Sequence, residues 1–165
     1  MLSYVKDKCR LYQTKFSFGA VSAIITNLGL IVGLRTGEHA KLSIIVGILV
    51  IALADNIADS MGIHIYQESE CLKTREVWLS TFTNFITRLL VSLTFILLVI
   101  FLPIRAGIAC SLLWGLLLLA AISYTIAKDR RANVYLVILE HLVIAIIVII
   151  ASNFIGKLVI NKIKF

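Results

Sequence analysis

Residues 41–66 read KLSIIVGILVIALADNIADSMGIHIY, an apolar run carrying Asp55 and Asp59 one helical turn apart. About 20 apolar residues cross the hydrocarbon core of a bilayer, and this run is longer. A carboxylate inside such a span is costly unless something partners it, so an intramembrane acid marks a functional-site candidate. The segment therefore predicts a membrane helix and places a chemical question inside it.

The rest of the chain has the same character. Of 165 residues, 60% are hydrophobic, and the mean hydropathy is +1.00, against about 45–50% apolar residues in a soluble domain. The length suffices for several spans with short loops and leaves no room for a separate soluble domain. The net charge of +7 comes from basic residues that flank the apolar runs, which marks topology and headgroup contact and not a nucleic-acid surface. Cys9, Cys71 and Cys110 are far apart and odd in number, so neither a zinc site nor a disulfide framework is indicated. The first 15 residues lack a short apolar core with a small-residue cleavage site, and no removable signal peptide is expected.

Apolar runs between charge clusters predict an all-α integral membrane protein of five helices. They cover about Phe16–Leu34, Leu42–Tyr66, Leu79–Leu102, Ala106–Ala127 and Asn133–Ile155, with Pro103 ending the third. One five-helix domain over 16–155 is expected, with a basic segment at 1–15 that is either interfacial or solvated, and a basic tail at 156–165. Five spans put the termini on opposite sides. The amino-terminal side carries Lys6, Lys8, Arg10, Lys15, Lys73, Arg75, Lys128, Arg130 and Arg131; the other carries Arg35, Lys41, Arg105, Lys157, Lys162 and Lys164. The excess of basic residues predicts a cytoplasmic amino terminus.

At about 1.5 Å of rise per residue, four helices place their most polar side chains at similar depth. Counted from the amino-terminal side, Asp59 lies about 10 Å in, Asp55 about 16 Å, Asn84 about 8 Å, Arg88 about 14 Å, Asn27 about 16 Å, and Glu140 with His141 about 10–12 Å. On the second helix, Asp55, Asp59, Gly62 and Tyr66 share one stripe, and Met61, His64 and Glu68 another. Three acids against Arg88 leave a formal charge of −2, which one divalent cation would neutralise. The expected metal ligands are Asp55, Asp59, Met61, His64 and Glu140, supported by Asn27, Asn84, Arg88 and His141; oxygen donors with imidazole or thioether suit Fe²⁺ or Mn²⁺. Carboxylates and imidazoles can also carry an exchanged proton. Plainer readings stand beside these. Arg88 and the aspartates form a buried ion pair that fixes helix register, the asparagines bond between helices, and Glu140–His141 sits nearer the headgroups.

On the first helix, Gly19, Ser22, Ala23, Thr26, Gly33 and Gly37 form a small-residue stripe, and Gly29, Gly33 and Gly37 are spaced by four. Small residues let membrane helices approach closely, either within one protomer or across a homodimer seam.

Gly19 on the first helix and Ser60-Met61 followed by Tyr66 on the second resemble the vacuolar iron transporter family. That family has five spans, and its second helix ends in Ser-Met, three further residues with Glu the last, then Tyr. The resemblance implies a dimeric exporter of Fe²⁺ or Mn²⁺ from the cytosol, exchanging them for protons. It assigns Met61 as a pore ligand and matches Gly19 to the glycine of the family's Asp-Gly. This sequence departs from the pattern at Phe18, where the family has aspartate, and at Ile65, where it has glutamate. It also lacks the glutamate-rich insert between helices 2 and 3.

The expectation is thus a membrane transporter of divalent transition metal with no permanently bound cofactor. Its partners would be the bilayer, the metal ion and a second copy of the chain, with no nucleic acid. It would sit in the cytoplasmic membrane of a prokaryote, or a vacuolar or other organelle membrane of a eukaryote. The competing reading is a non-transporting assembly module with a structural ion-pair layer. An enzyme is not expected: two acids on one helix lack the facing geometry of an aspartic dyad, and no HExxH or phosphate-cradling loop is present.

Overall fold

The computed structural model describes the backbone of residues 2–162 and the side chains of residues 18–162. Five helices follow one another: α1 (Leu2–Leu34), α2 (Ala40–Ser69), α3 (Thr74–Phe101), α4 (Ile104–Arg130) and α5 (Val134–Lys162). Among the described residues, α2 to α5 are each long and apolar enough to cross a membrane, and the apolar part of α1 spans Phe18–Leu34. The protein is an all-α integral membrane protein.

The helices overrun the apolar runs that reveal them. The first begins at Leu2 and not near Phe16, because residues 2–15 contain neither glycine nor proline and charged side chains do not interrupt a helix. The reading of 1–15 as an interfacial segment concerns side chains outside the described residues. The fifth helix continues to Lys162, so most of the expected tail is helical.

Short turns make the helices run alternately up and down. Arg131 closes α4 in the left-handed region, at φ 53°, and Cys71 does the same after α2, at φ 54°. Pro103 precedes α4 and ends α3, since proline cannot continue the ladder. Lys41 at the start of α2 reaches over to the exposed end of α3, where its Nζ donates to the carbonyls of Ile100 (2.9 Å) and Leu102 (3.2 Å). A cation there satisfies carbonyls left over at a helix C-terminus.

The first helix is the axis of the bundle. It packs against all four others, α2 meets α3, α3 meets α4, and α4 meets α5. Ile24, Leu28 and Ile31 of α1 are fully buried with Ile44 and Ile48 of α2, Phe95 and Val99 of α3 and Leu119 of α4. The fourth helix buries Gly107, Ser111, Gly115, Leu119, Ser123 and Ala127, one per turn; a Cβ on Gly115 would come within 2.7 Å of Leu28.

The glycine stripe of α1 is used inside the protomer. Gly29 faces Val148 and Ser152 of α5, and Gly156 of α5 lies so close to Gly33 that a Cβ would overlap the Gly33 carbonyl oxygen. Of the two readings of this stripe, intramolecular packing is the one present in the fold. Only Ala145 of α5 is buried among the described residues, so that helix is held by backbone proximity and turns most of its side chains outward.

Candidate functional site: a guanidinium shared by two aspartates

Asp55 and Asp59 are four residues apart on α2, so both side chains leave the same face. Across from them, Arg88 of α3 is 2% exposed. Its Nη2 donates to Asp55 Oδ2 at 2.5 Å, and its Nη1 donates to Asp59 Oδ2 and to Ser22 Oγ of α1. The Ser22 hydroxyl donates in turn to Asp59 Oδ2 at 3.1 Å. Three helices are thus tied at one point. Ser22 stood out in the sequence only as a small residue for close packing, yet it is part of the charge cluster.

The cluster is unevenly sealed. Arg88 is buried, but the Asp55 side chain is 44% exposed and that of Asp59 36%. Oδ1 of each aspartate accepts no hydrogen bond among the described residues. Two carboxylates and one guanidinium leave a formal charge of −1 with open oxygen atoms. Next to Asp59, between α1 and α2, is a cavity of about 520 Å³ whose wall includes Phe18, Gly62, Tyr66 and Gln67.

A polar seam leads from this cluster along the α2–α3 contact toward the loop that joins them. Asn56 Nδ2 donates to the carbonyls of Ala52 and Phe85 (3.2 and 2.9 Å). Asn84 Nδ2 donates to Ser60 Oγ at 3.1 Å. His64 Nδ1 pairs with Thr81 Oγ1 at 2.9 Å, and Gln67 Nε2 donates to Ser80 Oγ at 2.8 Å. In the other direction, Asn27 of α1 donates to Ser92 Oγ of α3 at 2.9 Å. Gly19 belongs to the same layer, because a Cβ there would sit 2.5 Å from Asn84 Oδ1. Its missing side chain lets the asparagine reach between the helices.

The expected residues divide clearly. Asp55, Asp59, Arg88, Asn27 and Asn84 come together across α1, α2 and α3, joined by Ser22, Asn56 and Ser60, which the sequence reading did not single out as site residues. His64 lies in the seam, edge-on to the Trp78 ring at 4.6 Å and with Nε2 3.4 Å from Glu68, turned toward α3. Met61 is on the outer surface of α2. Glu140 is exposed on α5 with no hydrogen bond or ion pair among the described residues. His141 pairs with Ser123 of α4 at 2.7 Å. The five expected ligands are therefore not gathered at one point, and among the described residues no three His, Cys, Asp or Glu side chains form a metal-holding group. Without Glu140 the local formal charge is −1 and not −2. Two of the missed residues had one signal: Asn56 and Ser60 recur with His64 at every fourth position on α2, the spacing of a buried face.

No family model, curated protein or solved structure matches the chain.

Proposed function

We propose that this protein is a membrane transporter for a cation, with Asp55 and Asp59 as the carboxylates that receive the cargo and Arg88 as the internal cation that holds them between cycles. One observation carries the reading: a net-negative cluster among three membrane helices, with two carboxylate oxygens that accept no hydrogen bond among the described residues and with partial exposure, lies beside a cavity. Such charge inside a bilayer is retained where it handles ions or protons. A guanidinium already ligating both acids supplies a mobile substitute for cargo, since a cation that binds the carboxylates displaces it and a departing cation restores it.

The resemblance to vacuolar iron transporters gives this reading its specific form: Fe²⁺ or Mn²⁺ leaving the cytosol in exchange for protons, with the amino terminus cytoplasmic as the basic-residue asymmetry suggests. In this form Asp55, Asp59 and Ser22 provide the oxygen donors, and water completes the shell. Assembly as a dimer through α1 would use the part of that helix left open between α2 and α5, where Thr26, Gly33 and Gly37 line an apolar groove.

A second reading has its own observation. Arg88 is almost completely buried and contacts both acids, as a structural ion pair would, and this favours a non-transporting assembly module. Reconstitution separates the two. Protein in liposomes with a trapped metal-sensitive dye is expected to admit Mn²⁺ or Fe²⁺ in a manner that responds to a pH gradient. No flux of any divalent ion at any gradient supports the assembly module.

A further inference from the structure

We infer that the cavity beside Asp59 is a binding site for an organic ammonium ion, a protonated or alkylated amine carried on an apolar body. The inference rests on the reading of Asp59 as a carboxylate that faces a cation, and it names a ligand class that bare metal chemistry does not cover. The cavity has a volume of about 520 Å³, far larger than a dehydrated metal ion requires. Among the described residues its wall offers one carboxylate, Asp59, and otherwise mostly apolar surface with two aromatic residues, Phe18 and Tyr66. A divalent ion stripped of water seeks six or so oxygen ligands, more than the described part of this wall supplies. An ammonium ion has opposite needs. Its charge is spread over a larger volume, it is attracted to aromatic faces, and its apolar substituents gain from leaving water.

Three further features fit. Gln67 also lines the cavity, is 8% exposed, and has an Oε1 that no donor in the described chain satisfies. The net charge of −1 in the Asp55–Asp59–Arg88 cluster matches a monovalent guest. Gly62 keeps the space open: a Cβ there would meet no described residue within 4 Å, so a larger side chain at this position projects into the cavity. The site lies in the last turns of α2, near one end of the bundle, so either a free amine or the headgroup amine of a lipid can reach it.

The test uses full-length protein in a non-ionic detergent and radiolabelled phenethylammonium as probe. Saturable binding is expected, weakened about tenfold or more by Asp59→Asn through loss of a charge-assisted contact. Tyr66→Leu, which keeps an apolar wall without the ring, is expected to weaken it about two- to fivefold. Gly62→Leu fills the space and should abolish binding while the protein remains monodisperse and helical, so the outcome does not depend on how well Asp59→Asn folds. Phenethyl alcohol, the uncharged analogue, should not compete. In phosphatidylcholine vesicles, displacement of the probe by added phosphatidylethanolamine identifies a lipid headgroup as the occupant, and lack of displacement identifies a free amine. Absence of saturable binding by folded wild-type protein, equal competition by the alcohol, or unchanged binding in Gly62→Leu overturns the inference. If that happens while Mn²⁺ flux persists, the ammonium site falls and the transport reading stands. Ammonium binding without Mn²⁺ flux gives the converse.

Discussion

On one side of α1, α2 and α3 meet it through a buried charge cluster and hydrogen bonds; on the other, α4 and α5 meet it mainly through small residues and close contact, with Arg35, just past the end of α1, donating to Asn153 Oδ1 of α5 at 3.0 Å on the exposed rim. The first side holds Asp55, Asp59, Arg88 and Ser22 in one cluster, with Asn27, Asn56 and Asn84 around it. The second holds Gly29, Gly33, Gly115 and Gly156 at close backbone approach, with Ser123 and His141 as an isolated polar pair. Lipid gives no hydrophobic reward for helix association, so membrane helices rely on close packing and on polar contacts. Here the buried charges are confined to one side, where Gly19 adds a close approach of its own, and the other side relies mainly on glycines. A bundle needing only to assemble could use the glycine device throughout, and the concentration of polar groups on one side is what calls for a functional explanation.

The contrast can be broken most forcefully at Arg88. Arg88→Met leaves two carboxylates without a counter-charge, and the expected loss is toward the lower end of about 3–5 kcal/mol because both aspartates are partly exposed. Reversible unfolding in mixed micelles measures it. Adding Asp55→Asn and Asp59→Asn to Arg88→Met should restore most of the stability, whereas failure to restore it means that Arg88 acts through packing.

The apolar side is tested at Gly156, where a single methyl group collides with the backbone of Gly33. Gly156→Ala is expected to cost about 1–3 kcal/mol by forcing α5 away from α1, with the polar cluster intact. Gly19→Ala pushes against Asn84 and should be destabilising by a smaller amount in the same range, because an asparagine side chain can give way where backbone cannot. Gly62→Ala, whose added Cβ meets no described residue within 4 Å, serves as the clash-free partner of both. The smallest effect belongs to Glu140→Gln, which should leave stability within about 0.5 kcal/mol and any flux unchanged. Loss of flux in that variant would join α5 to the site and dissolve the contrast.

The helices were legible because the bilayer fixes how many apolar residues a span needs, and charge clusters separate one run from the next. The Asp55–Asp59–Arg88 grouping was legible because a turn-spaced acid pair on one span and a lone arginine at the same depth on the next have few other ways to be stabilised. Sequence gives depth and not azimuth. Glu140 has a depth close to that of Asp59, but α5 packs on α1 and α4 and carries it to the outside. His64 shares a helix with the aspartates but points into the α2–α3 seam, and Met61 points outward. Ser22 was hidden for another reason: a serine in a small-residue stripe satisfies close packing and hydrogen bonding alike, and only the position of α3 decides between them. The glycine stripe posed the same problem, and Gly156 on a helix more than a hundred residues away shows that Gly33 serves packing within the chain.

The claim on which the account turns is that Asp59 faces a transported cation and does more than anchor Arg88. Mn²⁺ entry into liposomes, measured for wild type and Asp59→Asn alongside the unfolding transition of each, tests it most directly. The account expects flux to vanish in the variant while most of the stability is retained, since Asp55 and Ser22 still engage Arg88. Undiminished flux in a clearly destabilised Asp59→Asn would contradict it and leave Asp59 a structural partner of the guanidinium.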